Sequence, residues 1–239
     1  MTLRILREGD RSGRFNMARD VALAEGVLAD GSPLLRLYGW SRPTLSLGYG
    51  QSAAAFPPER LATLGVDLVR RPTGGRAVLH QHEVTYAFAV RASDLPGDVR
   101  GTYLQIAQPL LAALRNLGAP AELAGAPGEG QRDENCFQQP SWYEIEAAGR
   151  KLLGSAQVRH QGVLLQHGAL PLRLDYGLWA KVFAPEAAER YEEAMRRRAI
   201  DLEEAVGRAC TRREVRDALA EAFAAWWAER EKEVLHVAR

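Results

Sequence analysis

The sequence predicts an α/β fold of the α+β kind, a mixed β-sheet with helices packed outside it. Two observations carry that expectation. Segments of period two, typical of strands, are interspersed with amphipathic helical segments, but without the regular alternation of a doubly wound sheet. From Asp175 onward the pattern is continuously helical, with no linker, repeat or low-complexity stretch to mark a second unit. The expected organisation is a main domain over residues 1–200, with residues 201–239 as a helical flank of the same domain.

Along the chain, "NMARDVALAEGVLAD" carries Met17, Val21, Ala24 and Leu28 at helical spacing, with Asn16 expected as N-cap and Gly31 as the stop. "PLLRLYGW" and "PTLSLGYGQ" read as strands around a Ser-Arg-Pro break. "PERLATLGVDLVRR" reads as a short helix, a glycine stop and a strand ending at Arg70 and Arg71. Beyond a glycine turn, "AVLH" and "EVTYAFAV" are strands, and "GTYLQIAQPLLAALRNLG" is an amphipathic helix. "APAELAGAPGEGQRDEN" is polar and rich in Gly, Pro and Ala, so a loop. The stretch "WYEIEAAGRKLLGSAQVRHQGVLLQHGALPL" holds two or three short strands with "AAGRK" as a hairpin turn. In the helical tail, Trp226 and Trp227 are expected to pack against the body of the domain.

Composition bounds the function. The chain is 46% hydrophobic and 26% charged, with a formal charge of +1, so no global field draws it to nucleic acid or membrane. Charge-based recognition must be local. No apolar run approaches the roughly 18 residues of a membrane span. The N-terminus has neither an apolar core nor a small-residue cleavage site, so a cytoplasmic location is expected. Two cysteines, Cys136 and Cys210, supply no disulfide framework and too few ligands for a cysteine-based zinc site.

Chemistry concentrates in "RRPTGGRAVLHQHEVTY". Glycines let backbone N–H groups approach a ligand, and Arg70, Arg71 and Arg76 add donors suited to an anion. A tight turn with solvated arginines accounts for the same pattern. On an extended segment His80 and His82 share one side, with Glu83 beside them, but a third metal ligand is lacking. Cys136 lies between a loop and a strand, where a thiol is partly exposed; Arg132 lowers its pKa while Asp133 and Glu134 oppose that. Cys210, in a helical region, is expected to be structural. Lys151 leads into the small-residue segment "GSAQ", which lets a ligand or another backbone pack closely.

Three stretches together, "NMARDVALAE" with "PTLSLGYGQ", "RRPTGGRAVLHQHEVTY" and "GRKLLGSAQVRHQGVLLQHGALPL", resemble the superfamily of lipoate–protein ligases, biotin–protein ligases and octanoyltransferases. The resemblance implies a biotin/lipoate–protein ligase-like catalytic domain whose double-arginine Gly-Gly loop wraps an acyl ligand. By position it implies binding roles for Arg70, Arg71, Thr73, Gly74, Gly75, Arg76, Ala77, His80, Gly154, Ser155, Ala156, His167 and Gly168, and a catalytic role for Lys151 near the acyl carbonyl. "CFQQPSWYEI" is similar to a segment of the cysteine-dependent, LipM-type octanoyltransferases whose cysteine accepts the acyl group, and Cys136 falls on it. Asp20 is followed by Val21 where many relatives have Asp-Glu, and no catalytic role is assigned to it.

The resemblance thus implies an octanoyltransferase of lipoate biosynthesis. The donor is octanoyl-acyl carrier protein and the acceptor a lysine of a lipoyl domain, either glycine-cleavage H protein or a 2-oxoacid dehydrogenase E2. No cofactor or metal is expected. An ATP- and Mg-dependent lipoate–protein ligase is the alternative, and the absence of room for an accessory domain favours transfer. Val78, Leu79 and Tyr86 are expected to line the acyl pocket, and Arg70, Arg71, Arg150 and Arg159 to form a patch that steers acidic partners.

Overall fold

The computed structural model describes residues 1–124 and 144–237, with side chains described through Lys232. Cys136 and the other residues of 125–143 lie outside the described residues.

A seven-stranded sheet has the order β1 (Arg4–Arg11), β2 (Leu34–Trp40), β6 (His82–Arg91), β10 (Val163–Arg173), β9 (Arg150–His160), β8 (Ile145–Ala147) and β7 (Ala121–Leu123). Among its described strands, only β1 and β2 pair in parallel. A smaller sheet places β3 (Thr44–Leu47) between β4 (Asp67–Arg70) and β5 (Val78–His80). The large sheet is mixed, as its sequence predicts.

Strand alternation sends side chains to two different layers. Leu35, Leu37, Tyr86, Phe88 and Leu164 face α3 (Val99–Asn116) and α7 (Arg212–Val237), where Ile106, Leu110, Leu219 and Phe223 complete the main core. Trp226 and Trp227 sit 5.8 and 6.0 Å from the Phe88 ring, so both tryptophans pack as expected. Cys210 is buried in the same cluster, with its thiol pKa raised chiefly by desolvation. On the opposite face, Leu34, Tyr38, Trp40, Ala87, Ala89 and Leu165 meet Met17 and Val27 of α1 (Gly13–Asp30). The small sheet packs through Leu45, Leu47 and Leu79 on α4 (Tyr176–Phe183) and α5 (Ala188–Arg198). Two further short helices are α2 (Pro58–Thr63) and α6 (Leu202–Val206).

Several local expectations change. Strand β1 carries no strand signal of its own; it is a charged, largely exposed edge strand whose existence depends on pairing with β2. β7 occupies Ala121–Leu123, inside the stretch that reads as a loop. "PTLSLGYGQ" stops being a strand at Leu47, and "PLLRLYGW" pairs in the other sheet. Helix α1 begins earlier than predicted: Ser12 is its N-cap, accepting from the Phe15 amide at 3.4 Å, and Asn16 is buried within the first turn. Gly31 ends it in the left-handed region at φ 75°, as predicted. Ala148 and Gly149, at φ 51° and 67°, form the hairpin turn expected at "AAGRK". No helix among the described residues is long and apolar enough to cross a membrane.

The α1 layer is not purely apolar. Arg36, fully buried on β2, pairs with Asp20 at 2.7 Å and with Glu8 at 2.9 Å. Removing one partner of such a group strands the other charge. Arg36→Met is expected to lower unfolding free energy by about 3–5 kcal/mol, measured by urea denaturation.

Candidate active site

The glycine turn is built from inside. Arg70 donates through Nη1 to the carbonyls of Gly48, Tyr49 and Gln51 at 2.7, 2.9 and 2.8 Å. Arg71, only 4% exposed, turns back under its own loop: Nη2 reaches Gly74 O and Arg76 O, both at 2.7 Å, while Nη1 reaches Ser46 O at 3.0 Å. A guanidinium offers a fork of donors that a loop lacking its own ladder can use. Arg70 therefore holds the neighbouring segment 48–51 and Arg71 its own loop, and Arg71 in addition lines a cavity. The Nη1 of Arg76 is buried without a hydrogen-bond partner among the described residues.

Two glycine positions are required by geometry. A Cβ on Gly48 would fall 1.9 Å from Gly75 O, so the two loop backbones touch there. Gly75 itself stands at φ 88°. Gly74 faces open space.

Two buried polar strings meet this loop. In the first, Thr73 Oγ1 lies 2.7 Å from His167 Nε2, and His167 Nδ1 lies 3.2 Å from Asp20 Oδ2. Asp20 also accepts from Arg36 at 2.7 Å and Tyr38 at 2.9 Å. Burial holds the His167 pKa below its ordinary value, against the opposing pull of Asp20. Burial, then Asp20, drives the Tyr38 phenol well up. The sequence pattern gives Asp20 no role and does not single out Arg36; their side chains are recruited by the sheet–helix layer, for which no local pattern exists.

In the second string, Ser46 Oγ lies 2.8 Å from His80 Nε2, and His80 Nδ1 lies 2.8 Å from Glu83 Oε1. Thr85 donates to the same carboxylate oxygen at 2.6 Å and accepts from the Trp40 indole at 2.8 Å. The Trp40 ring stacks on His80 at 4.0 Å and 11°. His82 is exposed, so the shared side expected for His80 and His82 is not formed: the chain bends at Gln81 between β5 and β6. No group of three or more potential metal ligands occurs among the described residues.

These strings border a cavity of about 40 Å³, whose wall includes Arg71, His80, Gly154, Ser155, Ala156, His167 and Gly168. All seven are positions to which the family resemblance gives a binding role. Gly168 makes room for its neighbours, since a Cβ would lie 2.5 Å from Tyr86 Cε1 and 2.7 Å from Ser155 Oγ. Of the expected pocket lining, Val78 takes part; Leu79 is committed to the small-sheet core, and Tyr86 faces the α3–α7 layer. Tyr86 touches the site through a 2.7 Å bond to Ser155, and burial pushes its phenol up to about 12. Helix α1 and strands β9 and β10 also line a second, apolar compartment of about 430 Å³, floored by Val158, Val163 and Leu165 and roofed by Val21, Ala24 and Leu28. The residues predicted as the core stripe of α1 thus partly line a cleft, and Val21 and Leu28 are 38% and 42% exposed.

Lys151 is buried at the β8–β9 corner in an ion pair with Glu144, apart from the walls of both compartments. Burial, and then Glu144 and Glu122, raise the pKa of nearby Glu146. The Ala124 amide donates to Glu144 O at 2.8 Å, which brings together the described residues on either side of 125–143. The expected arginine patch is not a surface unit. Arg71 is buried, Arg150 pairs with Glu204 at 2.6 Å, and Arg159 donates to the carbonyls of Gly97 and Asp98 at 2.9 Å.

Residues 12–224 match the model of the lipoyl protein ligase A/B catalytic domain. The chain belongs to that family. Octanoyltransferase LipM of Kyrpidia tusciae is 42% identical over 238 residues, covering 93% of this chain and 86% of the relative. Octanoyltransferase LipM of Carboxydothermus hydrogenoformans is 44% identical over 195 residues, covering 80% and 72%. Among solved structures, a bipartite lipoate–protein ligase from Thermoplasma acidophilum superposes with a TM-score of 0.77 at 21% identity, over 95% of this chain and 84% of that one. The ligase-like fold expected from the sequence is therefore the fold observed.

The two loop glycines allow a paired test. Gly48→Ala is expected to cost about 1–3 kcal/mol through overpacking, whereas Gly74→Ala, facing open space, leaves the urea midpoint unchanged.

Proposed function

We propose that the chain is an octanoyltransferase of protein lipoylation, moving octanoate from octanoyl-acyl carrier protein to a lysine of lipoyl domains. The observation that carries this reading is identity of about 40% to octanoyltransferases across most of both chains. A separate cavity between α1 and strands β9 and β10 supports it: its mainly apolar space of about 430 Å³ suits an aliphatic chain. An eight-carbon chain buried there contributes about 0.8 kcal/mol per methylene. In this reading the glycine loop beside the smaller cavity faces the acyl carbonyl.

The proposed chemistry has two steps. The Cys136 thiolate attacks the donor thioester, giving an octanoyl-enzyme and free carrier thiol. The lysine ε-amine of glycine-cleavage H protein or a 2-oxoacid dehydrogenase E2 then attacks that thioester, leaving an amide. The first step exchanges like for like and the second runs strongly downhill, so ATP and metal are not needed. Cysteine suits both roles because its thiolate attacks and leaves well. The unpartnered Nη1 of Arg76 is a candidate donor to the oxyanion of each tetrahedral intermediate, and the family resemblance gives the same role to Lys151, which the structure holds in an ion pair with Glu144 away from the cavity wall. A cytoplasmic location fits these partners.

Intact-protein mass after mixing with octanoyl-acyl carrier protein, without ATP, tests the reading. The expected result is one hydroxylamine-labile octanoyl group on the wild type and none on Cys136→Ser. An adduct that persists on Cys136→Ser removes Cys136 from the pathway; a requirement for ATP and a free acid replaces transfer by ligation. Lys151→Ala is expected to slow turnover roughly 100-fold or more, since losing one oxyanion donor costs about 3–4 kcal/mol; steady-state kcat measures it.

A further inference from the structure

We infer that the turn carrying Tyr49 is the seat on which an acidic, lysine-bearing acceptor domain docks. The inference rests on the transfer reading above and names the surface that receives its second substrate.

Tyr49 is 72% exposed, the most exposed of the large hydrophobic side chains among the described residues. An exposed tyrosine on a fixed backbone is the kind of side chain that anchors protein interfaces. This backbone is fixed. The Tyr49 amide donates to Thr73 O at 2.8 Å, and its carbonyl accepts from Arg70, which also holds Gly48 and Gln51. Leu47 and Phe56, both buried in the small-sheet core, pin the two ends of the segment. Between them Gly50, Ser52, Ala53, Ala54 and Ala55 are exposed. A Cβ on Gly50, like one on Gly74 in the loop alongside, would meet nothing, and neither residue has a positive φ. Backbone geometry and packing ask for glycine at neither position, so the ledge beside the ring is clear for something from outside the chain.

Charge states what that is. Residues 48–58 contain no charged side chain. The cations that brace them are Arg70 at one end and, at the other, Arg60, which donates to Ala55 O at 2.8 Å. Both guanidinium groups donate to carbonyls, and neither has an ion-pair partner among the described residues. Two positive charges therefore flank an uncharged ledge, and the face that complements it is acidic.

Reach selects the acceptor over the donor. Tyr49 and Pro72 border the apolar cleft, so the ledge stands at its edge. A lysine amine stands on a four-carbon stem, and the acceptor's own surface must meet that edge before the amine can enter. Carrier-bound octanoate travels on a long prosthetic arm and needs no seat there.

Binding is tested with the full chain and labelled apo glycine-cleavage H protein, by fluorescence anisotropy, with octanoyl-acyl carrier protein titrated separately. Tyr49→Ala is expected to raise Kd for the H protein about 30-fold, the loss of one interface hot spot, while the urea midpoint stays that of the wild type. Ala53 lines neither compartment and reports the charge. Ala53→Glu weakens H-protein binding, Ala53→Lys strengthens it, and Kd for the carrier protein moves in none of the three variants. An unchanged H-protein Kd in Tyr49→Ala, or a shift of the same sign from Glu and Lys at position 53, overturns the inference. Equal weakening toward the carrier assigns the seat to the donor, and a chain that is dimeric except as Tyr49→Ala assigns it to a second copy; either overturns the inference. A wild type that binds H protein through Tyr49 yet takes up no octanoate from the carrier overturns the transfer reading and leaves the seat standing.

Discussion

The guanidinium of Arg71 is the interaction on which the site depends. It lies beneath its own loop and binds carbonyls at Gly74, Arg76 and Ser46, so the loop's shape is held by one fork of donors. A turn containing Gly75 at positive φ, pressed against Gly48, has little ladder structure of its own. The side chain supplies the missing hydrogen bonds. Because the same group faces the cavity, loop geometry and ligand environment are coupled through one residue.

Around that centre the α1–sheet layer carries a large share of polar groups. Asn16, Asp20, Arg36 and His167 are buried between helix and strands and satisfied by one another. An apolar layer of the same volume could be as stable, but it would not fix the direction of Thr73 or hold the His167 imidazole against the loop. The layer opens where α1 passes β9 and β10, giving way to the apolar cleft. Helix α1 thus closes one end of the layer and roofs the other, and this explains why its apolar stripe is only partly buried.

The opposite face has no such duty. Phe88, Phe223, Trp226 and Trp227 pack edge-to-face or tilted at centroid separations of 5.5 to 6.0 Å, the ordinary geometry of an aromatic core. The sheet therefore divides the labour: one side supplies stability through apolar burial, and the other supplies orientation through hydrogen bonds.

Much of this is legible in residue order. Gly31 as a helix stop, the Ala148–Gly149 turn and the amphipathic α3 are local consequences of backbone and side-chain chemistry, and they stand where expected. The family motifs likewise point to His80, Gly154, His167 and Gly168, because close backbone approach demands small residues at set positions. What the sequence by itself determined is the identity of the loop, the small-residue strand facing it, and the family to which they belong. Only the tertiary structure decided that Arg71 turns inward, that Asp20 and Arg36 reach His167 from elements far apart in sequence, and that His80 and His82 part company. Those outcomes depend on which face of a strand meets which helix, a property of sheet pairing that no single stretch of residues encodes.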